Sequence, residues 1–185
     1  MRMSRDATAQ SKRRIVEVAS TMARERGWEA TAIADVMSAA GMTHGGFYKH
    51  FASKDDLAAA AVRRAFADVV ERFDRRASRD GGPAAIAAYR RDYLSPSHVD
   101  DPGRGCPIAA LGPDAFRHAD ALASEFAAGA EALIARCAGD STAAIRDLVM
   151  LVGAVVVARA VGPGALREKI LAACAAPGSP GRTSE

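Results

Sequence analysis

The chain has 185 residues, 49% of them hydrophobic and only 5% aromatic, with a formal net charge of +3. That length suits one well-buried core, or two small helical units sharing one. Abundant alanine and almost no alternating β-branched runs argue against a sheet protein and for an all-α one.

The charge is unevenly spread. Residues 1–54 hold 9 Lys and Arg against 5 Asp and Glu, while the remainder holds 16 against 17. A basic front end on a neutral body fits a nucleic-acid contact surface. The three cysteines, Cys106, Cys137 and Cys174, lie far apart without CxxC spacing, which points to reduced thiols in a cytoplasm. The N-terminus, MRMSRDATAQSKRR, has no apolar core and does not read as an export signal. The most apolar run, Leu148 to Ala158, is too short for a bilayer, which needs about 20 such residues, and reads as a core helix.

In chain order, residues 1 to about 10 are expected to be a mobile arm. A first helix spans about Ser11 to Arg26, with a core stripe of Ile15, Val18, Ala19, Met22 and Ala23, and Gly27 stops it. Trp28 is expected to pack on the core formed by the next two helices. Thr31 is placed to cap a second helix whose buried face is Ile33, Val36 and Met37. Gly41 sits where the chain must reverse. Thr43 is placed to cap a third, short helix from His44 to His50. Two helices joined at a glycine-bearing short turn form a helix-turn-helix unit, whose second helix enters the DNA major groove.

The segment AGMTHGGFYKHFASKDDL resembles the recognition-helix signature of the TetR family of transcriptional regulators, and the likeness extends over roughly Ser11 to Ala61. The small residue, Gly, Thr, the Phe47-Tyr48 pair, His50-Phe51 and the trailing Ser-Lys all fall in the family's order. Gly46 departs from it, standing where the family usually has Thr or Ser. The resemblance implies a three-helix DNA-binding domain in front of a larger helical domain for ligand binding and dimerisation, about nine helices in all. It also implies a two-fold dimer packed through the last two long helices, and an effector pocket in the body.

The DNA-binding candidates are Thr31, Thr43, His44, Gly45, Gly46, Tyr48, Lys49, His50 and Lys54. Helix starts offer free amides to phosphates, and Lys54 adds a charge at one of them. His44 and Gly45 lie on the leading turn, where base edges come within reach. Tyr48 and Lys49 suit the phosphate backbone. Arg2, Arg5, Lys12, Arg13 and Arg14 are placed to lie along the same backbone. Phe47 and Phe51 read as core.

Ser53 and Asp56 read as a capping box opening a long helix to about Ser78, the lever between front and body. Asp80-Gly81-Gly82-Pro83 breaks it. A helix from Pro83 to Leu94 precedes SPSHVDDPGRG, which reads as a loop. Further helices are expected from Cys106 to Arg117, Asp120 to Ala138, Ser141 or Thr142 to Val161, and Ala165 to Ala175. The tail APGSPGRTSE reads as disordered. The domains are therefore drawn as 1–55 for DNA, 56–176 for effector and dimer, and 177–185 for the tail. Leu148 to Ala158 is apolar nearly all round and needs cover on every side, which a second copy can supply.

Cys106 begins a helix, where free amides favour a thiolate. The segment GRGCPIAALGPDAF is similar to a Gly-Cys segment in a TetR subgroup that includes electrophile- and oxidant-sensing repressors. A buried structural thiol is the competing reading. An apolar effector pocket is drawn from Phe66, Tyr89, Tyr93, Phe116 and Phe126 among others. No glycine-rich phosphate loop or HExxH motif occurs, and no cofactor, metal or enzymatic activity is expected. The function expected is a cytoplasmic, homodimeric regulator that represses from a palindromic operator and leaves it on binding a small effector or on modification of Cys106. The alternatives are a thiol-dependent helical enzyme and a helical interaction protein that does not bind DNA.

Overall fold

The computed structural model describes residues 5–137 and 141–175, all of whose regular elements are helical; no strand occurs among them. In order these are α1 (Arg5–Arg26), α2 (Ile33–Ala39), a 3-10 turn (His44–Lys49), α3 (Lys54–Asp80) and α4 (Gly82–Tyr93). Then come α5 (Pro96–Asp100), a second 3-10 turn (Pro102–Arg104), α6 (Pro107–Arg117), α7 (Ala119–Cys137), α8 (Thr142–Val161) and α9 (Ala165–Ala175). The chain divides by contact into two compact units, Met1–Arg72 with Asp101–Leu133, and Phe73–Asp100 with Ile134–Glu185.

In the first unit α1 packs on α2 and α6, and α2 on the first 3-10 turn. The expected stripe is in place in part: Ile15, Ala19 and Ala23 are buried while Val18 and Met22 are half-buried, and on α2 Val36 and Met37 are buried while Ile33 is half-buried; Trp28, between the two helices in sequence, is buried as well. The α2 exit follows from Gly41, whose φ of 73° lets the Met42 N–H reach the Met37 carbonyl at 2.8 Å and the Gly41 N–H reach that of Ser38 at 2.9 Å. Arg24, almost fully buried, is the polar centre of this unit. It donates to Asp68 at 3.1 Å and to the carbonyl of Gly105 at 3.3 Å, tying α1 to α3 and to the entrance of α6. Burial lowers its pKa, and Asp68 works against that loss. Asp114 of α6 is also buried and accepts the Trp28 N–H at 3.0 Å.

In the second unit α8 packs on α9, α4 and α5. Arg159 donates to the carbonyls of Val99 at 3.0 Å and His98 at 2.9 Å, and Arg167 pairs with Asp100 at 2.6 Å. Ser141 caps α8 by accepting the Ala144 N–H at 3.1 Å, as its position predicts.

Four expectations are corrected. Residues 5–10, expected in a mobile arm, are helical because Asp6, Ala7, Ala9 and Gln10 contain no breaker and simply extend α1. The stretch SPSHVDDPGRG is not a plain loop: Pro96 starts a short helix whose carbonyls Arg159 then satisfies. Thr31 does not cap α2; its hydroxyl donates back to the Gly27 carbonyl at 2.8 Å, and Ala32 takes the cap position without a side-chain bond. In the capping box Ser53 accepts the Asp56 N–H at 3.1 Å as expected, but Asp56 accepts from Ala52, one residue earlier, at 3.2 Å. Arg2, Ala138 and the 177–185 tail lie outside the described residues.

Candidate nucleic-acid interface

The recognition segment is a 3-10 helix of six residues, His44–Lys49, and not the α-helix to His50 that the pattern suggested. Two adjacent glycines lower helical propensity at its start, and the tighter winding closes i to i+3 bonds, Gly46 N–H to Thr43 at 3.0 Å and His50 N–H to Phe47 at 2.9 Å. Thr43 stands at the N-cap with no side-chain bond, so its hydroxyl is exposed and uncommitted to the cap. That corrects its expected capping role.

The two faces of this turn are sharply different. Phe47 is 0% exposed and stacks on buried Phe51 with ring centroids 5.6 Å apart. Tyr48, the next residue, is 72% exposed and meets Phe47 edge-on at 5.2 Å. One aromatic therefore anchors the turn while its neighbour projects from it. Thr43, His44, Gly45, Tyr48 and Lys49 are all exposed; Gly46, His50 and Lys54 are half-buried. At Gly45 a Cβ would meet nothing within 4 Å and φ is not positive, so the fold itself does not require glycine there. Its missing side chain leaves backbone open to a partner.

One candidate is corrected. Thr31 is 1% exposed with its hydroxyl spent on Gly27, so it cannot reach a duplex. Lys54 stands at the start of α3, with its Nζ 5.3 Å over the Trp28 ring. Sequence reasoning gave Lys12 only a general place along a backbone; its Nζ sits 4.9 Å over the Phe51 ring, beside the recognition turn. His50 has its pKa lowered, first by burial and then by Lys12 and Lys49.

The effector candidates are divided between the two units. Phe66 and Phe126 pack edge to face at 5.3 Å in the first unit, with Phe66 filling the space a Cβ on Gly129 would need. Tyr89 and Tyr93 lie 5.5 Å apart in the second unit, where Phe73 and His98 complete an aromatic cluster. Phe116, expected in a pocket, is 85% exposed on α6. Cys106 is at the N-cap of α6 as expected and is 2% exposed; none of the cysteines is in a disulfide. A groove of about 380 Å³ is lined by Ala9, Lys12, Arg13, Val16 and Glu17 of α1 and Arg64 of α3, none of which is an effector candidate. No helix among the described residues is long and apolar enough to cross a membrane.

Residues 15–61 match the family model of bacterial regulatory proteins, tetR family, and cover α1, α2, the recognition turn and the start of α3. That N-terminal segment is a TetR-family helix-turn-helix domain. Its architecture is similar to a TetR transcriptional regulator of Chloroflexus aurantiacus J-10-FL, at 26% identity and a TM-score of 0.66 over 91% of this chain and 93% of that one. It is also similar in fold to the reduced form of Escherichia coli NemR, at 18% identity and TM-score 0.72 over 89% and 95% of the two chains. A TetR-family regulator of Cytophaga hutchinsonii aligns at 17% identity and TM-score 0.69 over 95% of each chain. Comparison with curated proteins gave no match. Within the segment matched to the TetR family, Phe47 and Tyr48 divide the anchoring and outward positions of the turn His44–Lys49.

Proposed function

We propose that this chain acts in the cytoplasm as a homodimeric repressor of the TetR family that reads a palindromic operator with the turn His44–Lys49. The single observation carrying this is the division of that turn into a buried Phe47 and a projecting set of Thr43, His44, Gly45, Tyr48 and Lys49. Tyr48 and Lys49 meet phosphates, His44 and the open backbone at Gly45 approach base edges, and His50 lies at the flank. Residues 1–55 form the DNA-binding part and 56–176 the part that binds effector and partner. In the dimer two recognition turns enter successive major grooves about 34 Å apart. Release follows binding of a small effector or modification of Cys106.

The test is binding to a labelled duplex selected from a randomised pool by the protein. Tyr48→Ala and Lys49→Ala should each weaken binding about three- to thirtyfold, and the loss at Lys49 should shallow the salt dependence by close to one phosphate. Unaltered affinity in both variants would remove the turn from the interface.

A further inference from the structure

Lys12 of α1 and Lys54 at the start of α3 are each laid on an aromatic face. The Lys12 Nζ lies 4.9 Å over the Phe51 ring and the Lys54 Nζ 5.3 Å over the Trp28 ring. Both rings are held by the core. Phe51 is 2% exposed and stacks on Phe47, the anchor of the recognition turn, and Trp28 is 4% exposed. Both lysines reach solvent, Lys12 as an exposed residue and Lys54 as a half-buried one. Neither is in an ion pair among the described residues, whereas Arg24, Arg26, Arg63 and Arg64 of the same unit all pair with acids. The difference matters chemically. A carboxylate would fix a lysine but cancel its charge; a neutral ring face fixes it and leaves its charge and N–H donors open to an anion.

We propose that Phe51 and Trp28 are positioning residues for DNA binding, each holding one lysine so that its ammonium meets a backbone phosphate beside the recognition turn. The inference rests on the reading of this turn as the DNA interface. Its physics is preorganisation. A lysine is a point charge on a long flexible stem, and fixing that stem on a phosphate costs rotamer entropy. A stem already laid against a ring has given up part of that freedom before the duplex arrives, so the phosphate contact is less offset by ordering. Phe51 links the device to the turn itself, because the ring that carries Lys12 is the one on which Phe47 stacks. A core role alone predicts a different result from a positioning role, since only positioning makes the effect of the ring on DNA binding depend on the lysine.

The experiment measures affinity of the full chain for the selected duplex as a function of salt. Lys12→Met and Lys54→Met keep an unbranched stem without the charge. Each should weaken binding about three- to thirtyfold and shallow the salt dependence by close to one phosphate. Replacing Phe51 by a trifluorinated phenylalanine keeps a ring of nearly the same shape and removes the negative character of its face. Affinity should fall about two- to tenfold, and the same replacement in Lys12→Met should change nothing further. A fluorinated tryptophan at Trp28 should stand in the same relation to Lys54→Met. In parallel, NMR of the free wild-type chain should show the Lys12 ε-methylene protons shifted upfield by the Phe51 ring current, a shift absent from Phe51→Leu. Equal losses with and without the lysine, unaltered affinity of the fluorinated chains, or Lys12 protons at ordinary positions overturn the positioning role while leaving the DNA reading intact. Absence of duplex binding by the wild type overturns both.

Discussion

Cys106 is as buried as Cys137, but two properties set it apart from both other cysteines. It stands at the N-cap of α6, and it follows Gly105, whose carbonyl is held by the buried guanidinium of Arg24. A thiol packed this tightly cannot gain an oxygen or an adduct in place. Any modification therefore displaces the α6 entrance, and the Arg24 bond connects that entrance to α1 of the DNA-binding unit. The expected outcome for Cys106→Ser is unchanged affinity for duplex in reductant and loss of release by hydrogen peroxide or N-ethylmaleimide, read by fluorescence anisotropy. A variant that still releases fully assigns the cysteine to packing alone and moves the signal to a bound effector.

Between elements, α6 is fixed to the α1–α2 turn by Asp114, whose carboxylate accepts the Trp28 N–H, and by His118, whose Nε2 is 3.1 Å from Glu29. The second pair is exposed on the Glu29 side and contributes little to stability. The first is buried. Asp114→Ala leaves an amide without a partner and should cost about 1–3 kcal/mol in urea unfolding, whereas Asp114→Asn keeps an acceptor and should cost less. Equal stability of the Ala variant would show that water replaces the carboxylate. None of this was legible in the sequence, because a side-chain contact spanning 86 positions leaves no periodic trace. What was legible was local: the α1 stripe, the Gly41 reversal, the Ser141 cap and the range of α9 follow from spacing and cap chemistry. The recognition turn was located correctly but misjudged in winding, since its pattern of aromatics fits either helix type and only the paired glycines favour the tighter one. The short helix α5 was missed because Pro, Ser and Asp advertise a loop, and its stability comes from Arg159, distant in sequence. Phe116 was misplaced for the opposite reason, an aromatic residue that reads as core but stands in solvent.

At the scale of the molecule, α8 is apolar on both sides, a feature one chain leaves half uncovered. Leu148, Leu151, Val155 and Ala158 are buried, yet Ile145, Val149, Met150, Val156, Val157 and Val161 are exposed along the same helix, with Leu166 exposed on α9. A 20-residue helix of this kind offers about 30 Å of apolar edge, and exposed apolar patches of that extent mark interfaces. In the homodimer proposed above, a second copy presenting the same face would satisfy it by two-fold symmetry, the commonest solution for identical chains. The double variant Val149→Asp with Val156→Asp places charges on exposed positions, so helical content and the buried face should survive. Sedimentation should then report half the wild-type mass at micromolar concentration. Because two recognition turns tethered in one dimer gain about 10²–10⁴ in avidity over one, affinity for a palindromic duplex should fall by at least about a hundredfold, with half-site binding little changed. A variant that sediments like wild type would place the partner contact on some other face, and a monomer that binds the palindrome undiminished would show that each turn acts alone.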